Sequence, residues 1–347
     1  MVGQGLHIRK IVCLLLLGTP AVVAYAQMPV MLSLVHDARA AGMANLGVAT
    51  SPDANSQYFN VAKYAFYEKK GSVSVSYSPW LRTLADDMSM VYLSGAAKIG
   101  KENYLSGSLS YFDAGKVIMT NGGYGVGKYI SEPSVSDWAV DLGYARSLSP
   151  YFSMGLAFRY VSAMYAEHGM LTIASTKAFA ADVGFYYRYP FGKNLLTAGL
   201  AVNNVGSKFQ FANNETAFLP MSMRLGVHYN MTFFEQHTLG VGLEGNKPLV
   251  PENDADAGVF AGAMKSFGNP VSQITFGLGA EYTWKQMLIL RTGYFYDNYQ
   301  SGNLSRLTCG AGIKYQRLRI DAAYWIPLAS TKVLSNTFYI TFGYVID

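Results

Sequence analysis

The stretch Tyr151-Phe-Ser-Met-Gly-Leu-Ala-Phe-Arg-Tyr160 alternates apolar side chains with small or charged ones. One parity holds Phe152, Met154, Leu156, Phe158 and Tyr160; the other holds Ser153, Gly155, Ala157 and Arg159. A period of two indicates a β-strand. A tilted strand of about 9–11 residues crosses a bilayer. A strand that is apolar on one face and small or charged on the other therefore fits a wall between lipid and water.

The same alternation recurs from Gly71 to the C-terminus and predicts fourteen strands. We place them at 71–79, 87–99, 103–113, 135–148, 151–165, 175–189, 194–205, 220–231, 236–247, 271–284, 286–297, 304–316, 317–327 and 335–346. Short connections, such as Trp284-Lys285, alternate with long ones, such as 114–134 and 248–270. Outer-membrane barrels have short periplasmic turns and long outer loops. The fold class predicted is an all-β, 14-stranded antiparallel transmembrane β-barrel of the outer-membrane type, with both chain ends in the periplasm.

Charges avoid the middle of the apolar parity. An Arg or Lys on the lipid face at mid-membrane costs about 2–4 kcal/mol, which accounts for this segregation. We predict that the charges of the opposite parity line the lumen, where a solvated network that joins the wall to a plug is favoured over a substrate site. They are Asp141, Arg159, Asp182, Arg188, Arg224, Glu244, Glu281, Arg291, Lys314, Arg319 and Asp321.

The composition agrees with a membrane barrel that is exported. The 347 residues are 14% charged and 14% aromatic, against about 25% charged in an average soluble domain. Arg9 and Lys10, an apolar run and the Ala24-Tyr25-Ala26 site predict a signal peptide over 1–26. Its removal leaves 25 basic and 22 acidic residues, a balance too mild to imply nucleic acid. Cys309 would then be the single cysteine, which excludes an internal disulfide.

Residues 27–70 differ from the repeating strands. Asp37-Ala-Arg-Ala-Ala-Gly-Met-Ala-Asn45 is rich in small residues and compatible with a helix, and Ser51-Pro-Asp-Ala-Asn55 reads as a turn. A barrel of fourteen strands is wide enough to leave a lumen. We therefore expect 27–70 to form an N-terminal plug or hatch inside the barrel domain, 71–347. A periplasmic arm is the alternative.

The same N-terminal region carries a family resemblance. Asp37-Ala-Arg-Ala-Ala-Gly-Met43, Gly47-Val-Ala-Thr-Ser-Pro-Asp-Ala-Asn-Ser56 and Asn60-Val-Ala-Lys-Tyr-Ala-Phe66 resemble the PorV family, also called LptO. Further similar stretches are 73–81, 279–284, 290–296, 308–315 and 334–337. PorV is the outer-membrane barrel subunit of the type IX secretion system in Bacteroidetes-type bacteria, within the wider FadL-like group of fourteen-stranded barrels with an N-terminal hatch.

The resemblance implies a carrier in the outer membrane. Such a shuttle binds the C-terminal signal domain of secreted cargo at the SprA-type translocon and delivers it to the PorU-type attachment complex at the cell surface. The surroundings implied are outer-membrane lipid and lipopolysaccharide, with no cofactor. The main alternative is a FadL-like channel for hydrophobic solutes.

Candidate contact residues lie in the connection 114–134. Tyr124, Tyr129 and Ile130 could contact cargo, because tyrosine is enriched at protein interfaces, or could anchor the barrel rim. Two other signals are weak. The four mature histidines show no metal-binding spacing, so no metal site is predicted. Glu167-His168 has no serine assigned to it, so a lipid-modifying barrel enzyme is the least favoured function.

Overall fold

The computed structural model describes residues 29–80, 87–116, 119–120, 129–166, 173–211, 214–251, 254, 256–269, 273–297, 304–328 and 336–347. Fourteen antiparallel strands form one closed barrel in which each strand pairs with its neighbours in sequence, and the last strand pairs with the first. The strands are β1 (Gly71–Pro79), β2 (Ser89–Lys98), β3 (Asn103–Lys116), β4 (Ser134–Ser147), β5 (Phe152–Ala166), β6 (Ile173–Phe191), β7 (Asn194–Gly206), β8 (Ser222–Phe233), β9 (His237–Pro248), β10 (Thr275–Trp284), β11 (Leu288–Tyr296), β12 (Arg306–Tyr315), β13 (Leu318–Pro327) and β14 (Phe338–Ile346).

This architecture confirms the predicted fourteen-stranded antiparallel barrel, including its closure. Closure leaves no unpaired strand edge, which a wall in lipid requires because lipid cannot hydrogen-bond exposed backbone groups. The chain seals the ring by pairing Gly71 with Ile346 and Tyr77 with Ile340.

The two faces of each strand differ as the alternation predicted. Across β4 and β5, Asp141 pairs with Arg159 on the inner face, whereas Leu142 pairs with Phe158 on the outer face. The two charged side chains are buried and the two apolar ones are exposed. Burial of charge with exposure of apolar groups is the reverse of a soluble protein, and it places lipid outside.

Strand boundaries depart from the predicted ones by a few residues. β1 has the predicted bounds, β3 continues to Lys116, and β10 begins at Thr275, four residues later than predicted. Tight turns join the strands at one end, and two of them carry consecutive positive φ angles, at Phe234 and Glu235 and at Lys285 and Gln286. Such turns match the twist of the two strands that they connect.

The longer connections contain short elements that the period-two pattern did not reveal. Residues Met119–Thr120 pair with Tyr129–Ser131, and Phe209–Gln210 pair with Thr216–Ala217. The connection after β9 contains a helix, Val259–Lys265, followed by a 3-10 turn, Ser266–Gly268. A seven-residue helix contributes too few turns to produce a clear sequence period.

Residues 29–66, which we call the inner segment, precede the barrel and contain four short helical pieces. They are the 3-10 turn Val30–Ser33, α1 (Ala38–Ala41), α2 (Ser56–Phe59) and the 3-10 helix Val61–Phe66; Val259–Lys265 is α3. Asp37 caps α1 by accepting a hydrogen bond from the Ala40 amide at 3.0 Å. In the described part of the chain, the helices are all too short to cross a membrane.

Candidate functional site

The inner segment is hydrogen-bonded to the inward side of the wall. Thr341 accepts from the Ala38 amide at 2.9 Å, Thr197 donates to the Ala49 carbonyl at 2.7 Å, and Ser153 donates to the Ala62 carbonyl at 2.8 Å. Hydrogen bonds of this kind reach the segment from β1, β2, β3, β5, β6, β7, β9, β10, β12, β13 and β14. The small polar residues of the inner parity therefore serve as partners for backbone groups that would otherwise be unsatisfied.

Glycines allow the wall to approach the inner segment closely. A Cβ at Gly279 would lie 2.7 Å from the Met43 carbonyl oxygen, and one at Gly155 would lie 2.8 Å from the Ala62 nitrogen. β4, β8 and β11 have no such hydrogen bond to the inner segment among the described residues, but each approaches it closely at a glycine: Gly143, Gly226 and Gly293, respectively. All fourteen strands therefore contact the segment, and the glycine content of the strands has a packing reason.

Arg39 joins the inner segment to β10. Its guanidinium donates to Glu281 at 2.9 and 3.1 Å, to Asp53 at 2.8 Å, and to the Ser51 carbonyl and hydroxyl at 2.9 and 2.8 Å. The side chain is 6% exposed. A bidentate arginine–carboxylate pair fixes orientation as well as charge, so Arg39 sets where α1 stands relative to the wall.

Glu281 continues this cluster along the wall. It accepts a hydrogen bond from Arg291 at 2.7 Å, and Arg291 pairs with Asp321 at 2.8 Å. Asp321 also pairs with Arg319. Four of the predicted lumen charges thus form one connected group with Arg39 and Asp53. Buried charges must be paired to be tolerated, and this group meets that requirement.

A second buried cluster lies across the barrel on β4, β5 and β6. Arg159 pairs with Asp141 and, at 3.1 Å, with Asp182. Ser108 donates to Asp141 at 2.6 Å, and the backbone N–H of Asn204 donates to Asp182 at 2.6 Å. Each carboxylate therefore has a cation and a further donor.

Glu244 forms a third junction between wall and inner segment. One carboxylate oxygen accepts from the Gly47 and Val48 amides at 2.7 and 2.9 Å, and the other accepts from Arg224 at 3.0 Å. The pairs show which predicted lumen residues lie together: nine of the eleven are in ion pairs.

Arg188 and Lys314, the other two, are outside these ion pairs, although Lys314 is the cross-strand partner of Arg319. Arg188 donates to the Pro150 carbonyl at 3.1 Å and stacks 4.2 Å from the Phe66 ring centre, beside an open cleft of about 470 Å³ at the end with the tight turns. Lys314 is exposed and, among the described residues, makes no ion pair. Tyr129 and Ile130 belong to the short strand Tyr129–Ser131, whereas Tyr124 lies outside the described residues.

Burial shifts the pKa values of several side chains in the inner segment, among them Asp37, Lys63 and His36. Burial raises the pKa of the Asp37 carboxyl to about 6 and lowers the pKa of the Lys63 ammonium to about 8. The pKa of His36 is lowered to about 3, again chiefly by burial, so this ring is neutral at physiological pH. Lys63 donates to the Gly47 carbonyl at 2.7 Å and to Thr50 at 3.0 Å, inside the segment.

The contacts described here hold the inner segment against the barrel wall. Within the described ranges no group of three or more His, Cys, Asp or Glu side chains could hold a metal ion. The Glu167-His168 pair lies outside those ranges. The clustered carboxylates are already engaged by arginines or backbone amides.

Sequence reasoning missed the inner segment's share of the network. Arg39 and Asp53 were not assigned to it, although a charge in a segment expected inside a lumen needs a partner. The glycines of the inner parity were a second usable signal. They alternate with apolar residues in β10, as Gly277 and Gly279, where a lumen filled only with water would not require them.

Comparisons with known proteins agree with this geometry. A family model described as "Type IX secretion system protein PorV" matches residues 21–255. The structure is similar to the toluene transporter TbuX of Ralstonia pickettii, with 11% identity, a TM-score of 0.53, and 91% of this chain and 99% of that chain covered. It is also similar to the toluene transporter TodX of P. putida, with 10% identity, a TM-score of 0.55, and 90% and 98% covered. No curated protein matches.

Identities near 10% show the shared barrel fold alone, so the transporters do not assign a solute to this chain. The family match covers about two thirds of the sequence, including the inner segment and β1 to β9. Together with the closed barrel and its apolar outer face, this match places the protein in the outer membrane as an integral component of the type IX secretion system: the chain belongs to the PorV family.

Proposed function

We propose that this barrel is a shuttle for secreted proteins and not a catalyst. It binds the C-terminal signal domain of cargo at the SprA-type translocon and passes the cargo to the PorU-type attachment complex. The proposal goes beyond the family assignment, which supports a secretion component without naming its step or its partners.

The observation that supports this proposal most is the contact of the inner segment with the whole barrel wall. The inner segment contacts all fourteen strands, and its buried charges are paired with the wall. We therefore propose that the segment acts as a plug. A plugged barrel can still present a binding surface at its rim, whereas a channel needs a path past the plug.

The outer connections are then the part of the chain that contacts cargo. Lys116 pairs with Ser134 at the end of β3 and β4, so residues 117–133 connect these two strands. This connection contains the candidate residues Tyr124, Tyr129 and Ile130. Its glycines and aromatics would let it adapt to a partner and still bury apolar area, and long connections are often functional.

The test replaces residues 118–130 with a short Gly-Ser linker. Because the wall pairing at Lys116 and Ser134 is left intact, the barrel should fold, as a heat-modifiable gel shift would report. Cargo with the C-terminal signal should fail to reach the surface, measured by its accessibility to added protease. A matched control replaces the six residues 298–303 of another outer connection.

A FadL-like channel for hydrophobic solutes is the second candidate, favoured by the shared fold with the two toluene transporters. The two functions predict different outcomes. Normal surface display after both 118–130 and the connection between β9 and β10 are shortened would reject the shuttle and favour the channel.

A further inference from the structure

Helix α3 and the residues around it carry an apolar surface that the secretion role does not explain. Phe260 is 80% exposed, Met264 is 72% exposed and Phe267 is 56% exposed. Their spacing of four and three residues places them along one side of the helix and its 3-10 continuation. We infer that this ridge inserts among the acyl chains of the outer leaflet and anchors the connection between β9 and β10 to the membrane.

The opposite side of α3 shows where the helix is seated. Gly262 lies against Phe218 and Pro251, since a Cβ there would be 3.0 Å from the Phe218 ring and 3.2 Å from the proline. Val259 and Ala263 pack on a cluster formed by Phe218, Met221 and Leu249. The helix is thus held by Val259, Gly262 and Ala263, whereas its three large apolar side chains are exposed.

This seat lies on the outside of the barrel. Val202 and Met223 also pack against the cluster, and they are cross-strand partners on β7 and β8. They have the same parity as Leu200 and Leu225, the next outward pair, of which Leu225 is 60% exposed on the lipid face. The apolar surface of α3 therefore continues the lipid-facing surface of the wall.

The depth of the seat matches the outer edge of the hydrocarbon. Phe233 stacks on His237 beside the tight turn and belongs to the aromatic girdle at that end. Met223 is ten residues further along the same strand. At about 3.4 Å per residue and a tilt of about 35–45°, this spans roughly 26 Å, and the apolar band of such barrels is about 25 Å tall.

Two lysines, Lys247 and Lys265, lie beside the ridge. Lys247 is the cross-strand partner of Met223, so it projects outward, and its ammonium lies 5.6 Å from the centre of the Phe267 ring. Lys265 pairs with Asp254 beside the helix. An apolar ridge bordered by lysines is the composition of an interfacial helix, whose cations lie at the level of anionic headgroups.

Lipid is favoured over a protein partner because the ridge is continuous with a face already in contact with lipid and lies at the matching depth. The inference does not depend on the shuttle function. If it holds, the connection after β9 is held at the membrane, and of the two longest outer connections the one between β3 and β4 is left for cargo.

The test measures spin-label accessibility in vesicles that contain this protein alone. Cys13→Ser and Cys309→Ser remove both cysteines of the sequence. Single cysteines then replace Phe260, Met264 or Phe267, with Leu225→Cys as the lipid reference and Lys101→Cys as the water reference. The full chain is reconstituted in phosphatidylcholine vesicles, with and without added lipid A.

Labels on the ridge should collide with oxygen as often as the Leu225 label does, and should lose the collisions with a water-soluble nickel chelate that the Lys101 label shows. Three ridge positions keep the test valid if one variant fails the gel-shift check for folding. Ridge labels as accessible to nickel as Lys101 would overturn the inference. Labels that lose nickel collisions only after outer-membrane extract is added would also overturn it, and would assign the ridge to a protein.

Discussion

Arg39→Ala should release the inner segment while leaving the barrel closed. The guanidinium, which belongs to α1, bonds both the turn at Ser51 and Asp53 and, through Glu281, β10. The substitution removes two ion pairs and opens a space beside them. Glu281 keeps its bond from Arg291, whereas the Asp53 oxygen that faced Arg39 loses its cation.

The free-energy cost of Arg39→Ala follows from this difference between Glu281 and Asp53. Removing one partner of a buried pair costs about 3–5 kcal/mol, mostly because a charge is left uncompensated. Since Glu281 retains a cation, the lower end of that range applies, about 3 kcal/mol. At about 1.4 kcal/mol per tenfold change, the released population of the segment should rise roughly 150-fold.

Hydrogen exchange followed by mass spectrometry measures this population directly. In the variant, amides of residues 38–66 should lose about two orders of magnitude of protection, because exchange reports local opening. Amides of the strands should keep their protection. Arg39→Lys should fall between, since lysine keeps the charge but not the bidentate geometry.

The matched control is Lys69→Ala. Lys69 also pairs with a carboxylate, Asp347, at 2.7 Å, but both side chains are about half exposed. Exposed pairs are worth about 0–1 kcal/mol, so protection should not change. Unchanged protection of 38–66 in Arg39→Ala would refute the reasoning and leave the glycine contacts as the main hold. Equal loss in the strands would make Arg39 a determinant of the whole barrel.

Four further outcomes are expected. Leu225→Arg should impair assembly in a heat-modifiable gel shift by the lipid-face cost of about 2–4 kcal/mol, and Leu225→Phe should not; equal damage would reject the assigned faces. Deleting 37–62 should raise single-channel conductance in planar bilayers, and a folded barrel with unchanged conductance would show that this segment is not the obstruction. Burial raises the pKa of Asp37 to about 6, so the stabilisation of the inner segment against the wall is present below about pH 4 and lost as the pH rises through 6. Amide protection of 38–66, corrected for intrinsic exchange rates, should therefore fall over this range. Asp37→Asn, which keeps the cap, should abolish the fall. Gly279→Ala should lower the protection of 38–66, because its Cβ would lie 2.7 Å from the Met43 carbonyl, whereas Gly245→Ala, with 3.4 Å to the Phe276 ring, should not.

Ser108 shows why an inward-facing position is a poor control for the lipid-face substitution Leu225→Arg. Parity correctly places Ser108 on the inner face, which would suggest that an arginine there is tolerated in water. The structure shows that Ser108 is buried and donates to Asp141. An arginine at this position would enter the buried cluster of Asp141, Arg159 and Asp182. Leu225→Phe is therefore the better control.

The sequence by itself determined the barrel, its fourteen strands and the face on which each side chain lies. It could do so because these properties are local: a period of two, a strand length that matches the bilayer and the high cost of charge in lipid act on each strand separately. The same local reasoning confined charges such as Arg159 and Glu281 to the inner parity, but it could not pair them.

Only the tertiary structure decided the partners and the course of the inner segment. Arg39 and Glu281 are 242 residues apart, and Gly42 and Thr308 are 266 apart. Contacts over such separations depend on closure of the ring and on the path of a segment without a strong period of its own. The seat of α3 outside β7 and β8 has the same origin, because a seven-residue helix is placed by packing against Phe218 and Met221 rather than by its own pattern.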